Sequence, residues 1–146
     1  MNETAHTTYD VAVVGGGPAG LAAAIALADT GARTALVARR AAYGDNRTTA
    51  LLGGSVDFLQ RLDVWPRCEA EAAALRVMRL VDDTGRLIRA PEVRFSSDEI
   101  GLEAFGYNIE NRALMVAMEA RAAEFANLVR IDDEAAELLR DLFGDL

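Results

Sequence analysis

Near its start the chain carries an unbroken apolar run, Val11-Ala12-Val13-Val14, that stops at Gly15-Gly16-Gly17. A short apolar run bounded by a turn signal reads as a buried strand, placed here at residues 9–14. Residues 18–30 are dominated by alanine. Ala22, Ala23, Ala24, Ala26 and Ala28 combine high helix propensity with little bulk, which suits a helix packed closely on a sheet. Gly31, after Asp29-Thr30, is a natural residue to end that helix. A second apolar run at 34–38 completes strand–helix–strand, and a crossover this short implies parallel pairing.

The pattern then loosens. Residues 41–48 form a loop, with Gly44, Asp45 and Asn46 as turn formers. Residues 54–62 read as a helix burying Val56, Leu59 and Leu62, broken at Asp63-Val64-Trp65-Pro66 because proline disfavours helix at the residue before it. Pro66 opens another short helix running through Ala74. A strand at 76–82, a hairpin turn at Asp83-Thr84-Gly85 and a return strand at 86–90 give an antiparallel insert over roughly 76–95. Such an insert often forms a second layer over a ligand. Residues 106–109 make a short strand or turn. A helix follows at 111–125, with Leu114, Met118, Ala122 and Phe125 on one face as core packing. A strand at 128–131 precedes a last helix at 132–143, with acids at its start, Arg140 late and Gly144 after it. The run Asp132-Asp133-Glu134 fits helix capping better than metal binding.

Composition narrows the partners. With 146 residues, 51% of them hydrophobic, the chain is long enough for one domain with a proper core. A net charge of −8 argues against nucleic acid or an anionic membrane surface as the main partner. Cys68 is the one cysteine, so a reducing compartment is the default, and Glu69 and Glu71 beside it do not favour a reactive thiolate. Residues 1–8 read as a flexible polar tail without an apolar signal core, and His6 within it is inert. The longest nearly apolar run, 18–28, is too short to span a bilayer. The expectation is a cytoplasmic chain.

The candidate chemistry sits in the first turn. Gly15, Gly17 and Gly20 have the G-x-G-x-x-G spacing of a dinucleotide-binding unit, and the strand before and the helix after supply the context that spacing needs. Gly15 permits a tight turn, Gly17 removes the side chain that would block a pyrophosphate, and Gly20 allows close packing of helix on strand. The helix opening at Pro18-Ala19-Gly20 then points free N–H groups and its positive dipole end at the phosphates. At the tip of the second strand, where such folds place an acid on the adenosine ribose, the chain has Ala38 followed by Arg39 and Arg40. Those arginines either take the 2′-phosphate of NADP or are solvated or near the pyrophosphate. No Ser–His–Asp constellation or metal-ligand cluster is readable, so the catalytic residues stay unknown.

Three blocks resemble the flavin monooxygenases of the aromatic-hydroxylase type, most closely the ubiquinone-biosynthesis hydroxylases. They are 10–20 with its helix; Asp45-Asn46-Arg47-Thr48-Thr49-Ala50-Leu51 with Leu62-Asp63-Val64-Trp65; and Phe105-Gly106-Tyr107-Asn108-Ile109-Glu110-Asn111. The resemblance covers about residues 9–131 and implies an α/β fold. Its parts are a Rossmann-like FAD-binding βαβ unit and an antiparallel β insert at 76–95 resembling the start of a substrate domain. It implies FAD as cofactor, with Gly15, Gly17, Pro18, Ala19, Gly20, Arg39, Arg47 and Asn111 as binding residues. Arg47 is either the arginine approaching the FAD phosphates and ribityl chain or a solvated loop residue. Asn111 is either a flavin contact or a plain N-cap. The implied reaction hydroxylates a small aromatic substrate with dioxygen, NAD(P)H supplying electrons. Peripheral membrane association belongs to the full-length family, and self-association is left open. Ala38 departs from the family's acid. Motifs that family members carry past residue 131 have no match, so 9–146 is expected to be the N-terminal part of the FAD-binding domain. It would be inactive alone, or else an NADP-binding module using Arg39 and Arg40.

Overall fold

The computed structural model describes residues 8–39 and 46–132. Residues 1–7 of the expected tail, Arg40, residues 41–45 of the loop with Gly44 and Asp45, and the expected final helix from Asp133 on, with Glu134, Arg140 and Gly144, lie outside them. The first strand, β1 (Val11–Val14), leads through the glycine turn into α1 (Pro18–Asp29) and then β2 (Thr34–Val37). β1 and β2 pair in parallel, Val11 opposite Thr34, as the short crossover requires. Gly31 adopts φ +91° just past the helix and donates its N–H to the Ala28 carbonyl, ending α1 as the sequence suggests.

The second half begins with β3 (Thr48–Leu52), α2 (Gly53–Arg61), β4 (Ala73–Ala74), the ribbon β5 (Val77–Leu80) and β6 (Val93–Ser96), and β7 (Gly106–Glu110). The helix α3 (Asn111–Ala122) and β8 (Leu128–Ile131) complete it. β8 adds to β2 in parallel, giving a sheet ordered β1-β2-β8, while β3, β7 and β4 form a separate antiparallel sheet. The fold is therefore the expected α/β unit with antiparallel strands inserted.

Four local expectations need correction. Thr48, read as the end of a loop, and residues 49–52, given no element from the sequence, form β3, because Thr49, Ala50 and Leu51 find their partners on β7, more than fifty residues away. The helix expected from Pro66 to Ala74 is two 3-10 turns, Trp65–Arg67 and Glu69–Glu71, followed by β4. The return strand of the insert lies at 93–96 rather than 86–90. There the Asp82 carboxylate accepts the N–H groups of Thr84 and Ala90 and the Thr84 hydroxyl, tying residues 82–90 into a closed loop instead of a two-residue hairpin. Finally, α3 ends at Ala122, and Phe125 packs on the core from beyond its end.

One apolar cluster joins the layers. Leu21, Ala24 and Ile25 of α1, Leu36 of β2, Val56 and Leu59 of α2, Ile109 of β7, and Leu114, Met115, Ala117 and Met118 of α3 are all buried in it. Completely burying a Leu or Ile side chain stabilises by about 1.5–3 kcal/mol, and Leu21, Ile25, Leu36, Ile109 and Leu114 do so. Trp65 meets Tyr107 with ring centroids 5.2 Å apart, tying the 3-10 turn after α2 to β7. Cys68 is buried with its thiol 3.7 Å from the Val64 carbonyl, and burial, with Glu71 and Glu69, pushes the thiol's pKa up. It is a packing residue.

Two further constraints are testable. A Cβ on Gly106 would lie 2.0 Å from the Leu51 carbonyl oxygen, and backbone in a paired strand cannot give way. Gly106→Ala should cost about 3 kcal/mol, the upper end of overpacking, and lower Tm by roughly 6–12 °C. Gly54→Ala, in open space in the first turn of α2, serves as the control and should leave Tm unchanged or raise it slightly; equal melting of the two variants contradicts the claim. At the start of β1, Asp10 accepts the Arg33 backbone N–H at 2.8 Å and pairs with its guanidinium at 2.8 Å. Arg33 holds the Asp10 carboxyl at about 2. A lowered native pKa means a contribution present above the ordinary carboxylate range and lost as pH falls from about 4 toward 2. Asp10→Asn should therefore narrow the gap in urea midpoint between pH 5 and pH 2, and an unchanged gap would count against it.

Candidate nucleotide site

Chain direction decides where the site lies. α1 joins two parallel strands and so runs antiparallel to both; α3 leads by a short connection into β8, which is parallel to β2. The two helices therefore run side by side in the same direction. Their contacts agree: Arg121 near the end of α3 reaches Asp29 at the end of α1, with 3.5 Å between charged atoms. The first turns of both helices thus come to the carboxyl edge of β1, β2 and β8, the edge where open α/β sheets bind ligands. Neither helix has a side-chain cap or an acid in its first turn. A helix's first amides have no intrahelical acceptor, so both positive ends suit an anion lying at this edge.

The glycine turn is built for close approach. Gly15 adopts φ +111° and donates its N–H to the Val37 carbonyl at 2.9 Å, fixing the turn on β2. A Cβ on Gly20 would stand 1.8 Å from the Gly15 oxygen, so only glycine lets α1 start this close to the turn. At Gly17 a Cβ would meet nothing within 4 Å. The fold itself does not need glycine at 17; the space beside it is open to a ligand. Pro18 and Ala19 are the first two residues of α1 and exposed.

The remaining expected residues fall at two places. Arg39 is exposed just past β2. Ala38 is buried, and its Cβ would be 2.7 Å from a Cβ on Gly16. Position 38 faces the turn's underside, which explains why no acid stands there. Arg47 precedes β3 and accepts the Asn111 N–H on its backbone carbonyl at 3.0 Å. Asn111 is the first residue of α3; Glu110 is the N-cap, so the plain-cap reading of Asn111 is wrong. Its side-chain oxygen instead accepts the Thr49 hydroxyl. The structure thus brings Arg47 and Asn111 together at the start of α3, and Arg39 stands beside the glycine turn at the end of β2.

Sequence reasoning passed over Gly16, Thr49 and Arg130. The triple glycine could have flagged Gly16, but Thr49 and Arg130 look like ordinary strand residues until pairing is known. A surface groove of about 500 Å³ runs along α3 from its start, between Glu110, Arg112 and Val116 on one side and Arg67 and Glu71 on the other. It mixes opposite charges and none of the glycine turn lines it. Among the described residues there is no group of three or more His, Cys, Asp or Glu side chains placed for a metal, and no helix long and apolar enough to cross a membrane. The glycine cradle, the two helix starts and the nearby arginines fit the diphosphate of a dinucleotide cofactor.

Known proteins share parts of this chain's sequence and fold. Over 94 residues, 63% of the chain, it is 33% identical to alpha-glycerophosphate oxidase of Enterococcus casseliflavus, of which it covers 15%. It is similar in structure to the flavin-dependent monooxygenase PieE, solved with FAD and substrate. The TM-score is 0.66 at 23% identity, over 86% of this chain and 24% of that one. It is also similar to p-nitrophenol 4-monooxygenase PnpA of Pseudomonas putida DLL-E4, with a TM-score of 0.60 at 18% identity, over 82% of this chain and 30% of that one. The chain thus spans less than a third of the length of each of these proteins. Residues 10–122 match the FAD-dependent oxidoreductase family, and the chain belongs to it.

Proposed function

We propose that this chain is the FAD-binding portion of a flavin monooxygenase that hydroxylates a small aromatic molecule of the ubiquinone-precursor type. Dioxygen and NAD(P)H would be its co-substrates. The observation that supports it best is that two parallel helices without side-chain caps start at the same sheet edge, one of them at a glycine turn whose Gly17 faces open space. In this reading the N–H groups of Ala19 and Gly20 hold the FAD diphosphate, with Gly15 and Gly17 admitting it and Pro18 presetting the helix start. The Arg47 guanidinium pairs with the phosphates and ribityl chain, and Asn111 contacts the flavin side. Arg39 adds positive charge on the adenosine side. FAD, when bound, supplies the redox and oxygen chemistry. The chain's own residues bind and orient it. The β5–β6 ribbon is proposed as the beginning of a substrate-covering layer, because its apolar pairs Met78–Phe95 and Leu80–Val93 stand exposed on one face. What is proposed for the described residues is nucleotide binding; hydroxylation belongs to the whole protein of which they form the FAD-binding portion.

A second reading has one observation in its favour. Ala38 is buried while Arg39 is exposed at the tip of β2, where a 2′-phosphate of NADP would lie. Calorimetry with FAD and with NADP separates the two. FAD binding with little affinity for NADP is expected; tight NADP binding lost in an Arg39→Ala/Arg40→Ala double variant would establish the second reading instead. Gly17→Val should weaken FAD binding at least about 100-fold by occupying the phosphate's place. Its folding should change by only about 1 kcal/mol, the cost of a poorer N-cap. Unchanged FAD affinity in this variant, or no FAD binding by the parent chain, refutes the assignment.

A further inference from the structure

Arg130 is the deepest cation in the sheet. It lies on β8 opposite Leu36, and its side chain is 11% exposed. One terminal nitrogen pairs with the Glu119 carboxylate of α3. The other donates to the Arg39 carbonyl at 3.2 Å and lies 3.1 Å from where a Cβ on Gly16 would be. One guanidinium therefore touches α3, the exit of β2 and the glycine turn. Its Nε finds no acceptor among the described residues. Burying an arginine with a donor left over is costly, and an apolar residue of similar length would serve stability as well or better. The cost is explained if what the side chain fixes is the spacing of the segments it joins. Those segments flank the edge where the nucleotide is placed.

We propose that Arg130 is a positioning residue of the nucleotide site. Paired with Glu119, it clamps the exit of β2 beneath the Gly15–Gly17 turn and so sets the gap that receives the adenosine and diphosphate half of the dinucleotide. Gly16 and Ala38 are small because the clamp needs that space: a Cβ at 16 would strike Ala38 and crowd the guanidinium. The role rests on the nucleotide reading above and adds a residue to it that never touches the ligand.

Two measurements on the whole chain test it. In amide hydrogen exchange without ligand, Arg130→Met should speed exchange at Gly15 and Ala38, whose N–H groups are bonded to Val37 and Ile131. The expected acceleration is about 10-fold or more, with the β3–β7 ladder unaffected. In calorimetry, Arg130→Met should weaken FAD and ADP about 10-fold or more, and Arg130→Lys, which keeps the charge, should recover part of the loss. Exchange that rises uniformly along the chain would show an ordinary structural residue and overturn the proposal. So would FAD affinity in Arg130→Met equal to that of the parent. A parent chain that binds neither FAD nor ADP removes the nucleotide reading and this role with it; the exchange data then still show whether the clamp exists.

Discussion

The Gly15 carbonyl oxygen occupies the place where any side chain at position 20 would have to go, 1.8 Å from an added Cβ. The rest of the site follows from that single contact. Because α1 can begin directly against the turn, its first amides face outward at the strand edge. Because Gly15 takes a positive φ, the turn folds back onto β2 through the bond to Val37. The alanine-rich face of α1 then lets α3 lie close beside it in the same direction, bringing a second helix start to the same edge. Packing and ligand chemistry are here one constraint, since the small residues that allow the helices to meet also place two positive dipole ends together.

The glycines of the turn do different work. Gly15 and Gly20 are demanded by the fold, one by its backbone angle and the other by steric exclusion. Gly16 is demanded by Ala38 and Arg130 beneath it. A Cβ on Gly17, like one on Gly15, would meet nothing within 4 Å, but Gly17 has an ordinary extended backbone; beyond a modest N-cap preference nothing in the chain requires glycine there, and a ligand does. The absent acid at position 38 finds its reason in the same packing: that residue is buried against Gly16 of the turn, where a longer side chain has no room.

Much of this was legible because the signals were local. The strand, glycine turn and helix over 11–29 carry their own propensities, and α2 and α3 show apolar spacing that a 3.6-residue period explains. What escaped depends on distant partners. β3 is a strand only because β7 lies beside it, and Thr49 meets Asn111 only through that pairing. The turn signal at Asp83-Thr84-Gly85 misled because Asp82 captures nearby N–H groups and delays the return strand to Val93. Asn111, a favoured capping residue type, became the first residue inside its helix, freeing its side chain for β3. Arg130 gave no hint, since burial of a strand arginine cannot be read from four residues.

The central claim is that a dinucleotide lies across the two helix starts rather than in the groove along α3. Mapping backbone amide shifts of the labelled chain during titration with FAD tests it most directly. The account predicts the largest shifts at Gly15, Gly17, Ala19, Gly20 and Asn111. Shifts gathered instead at Arg67, Glu71, Val116 and Ala120, with the glycine turn unmoved, would contradict it.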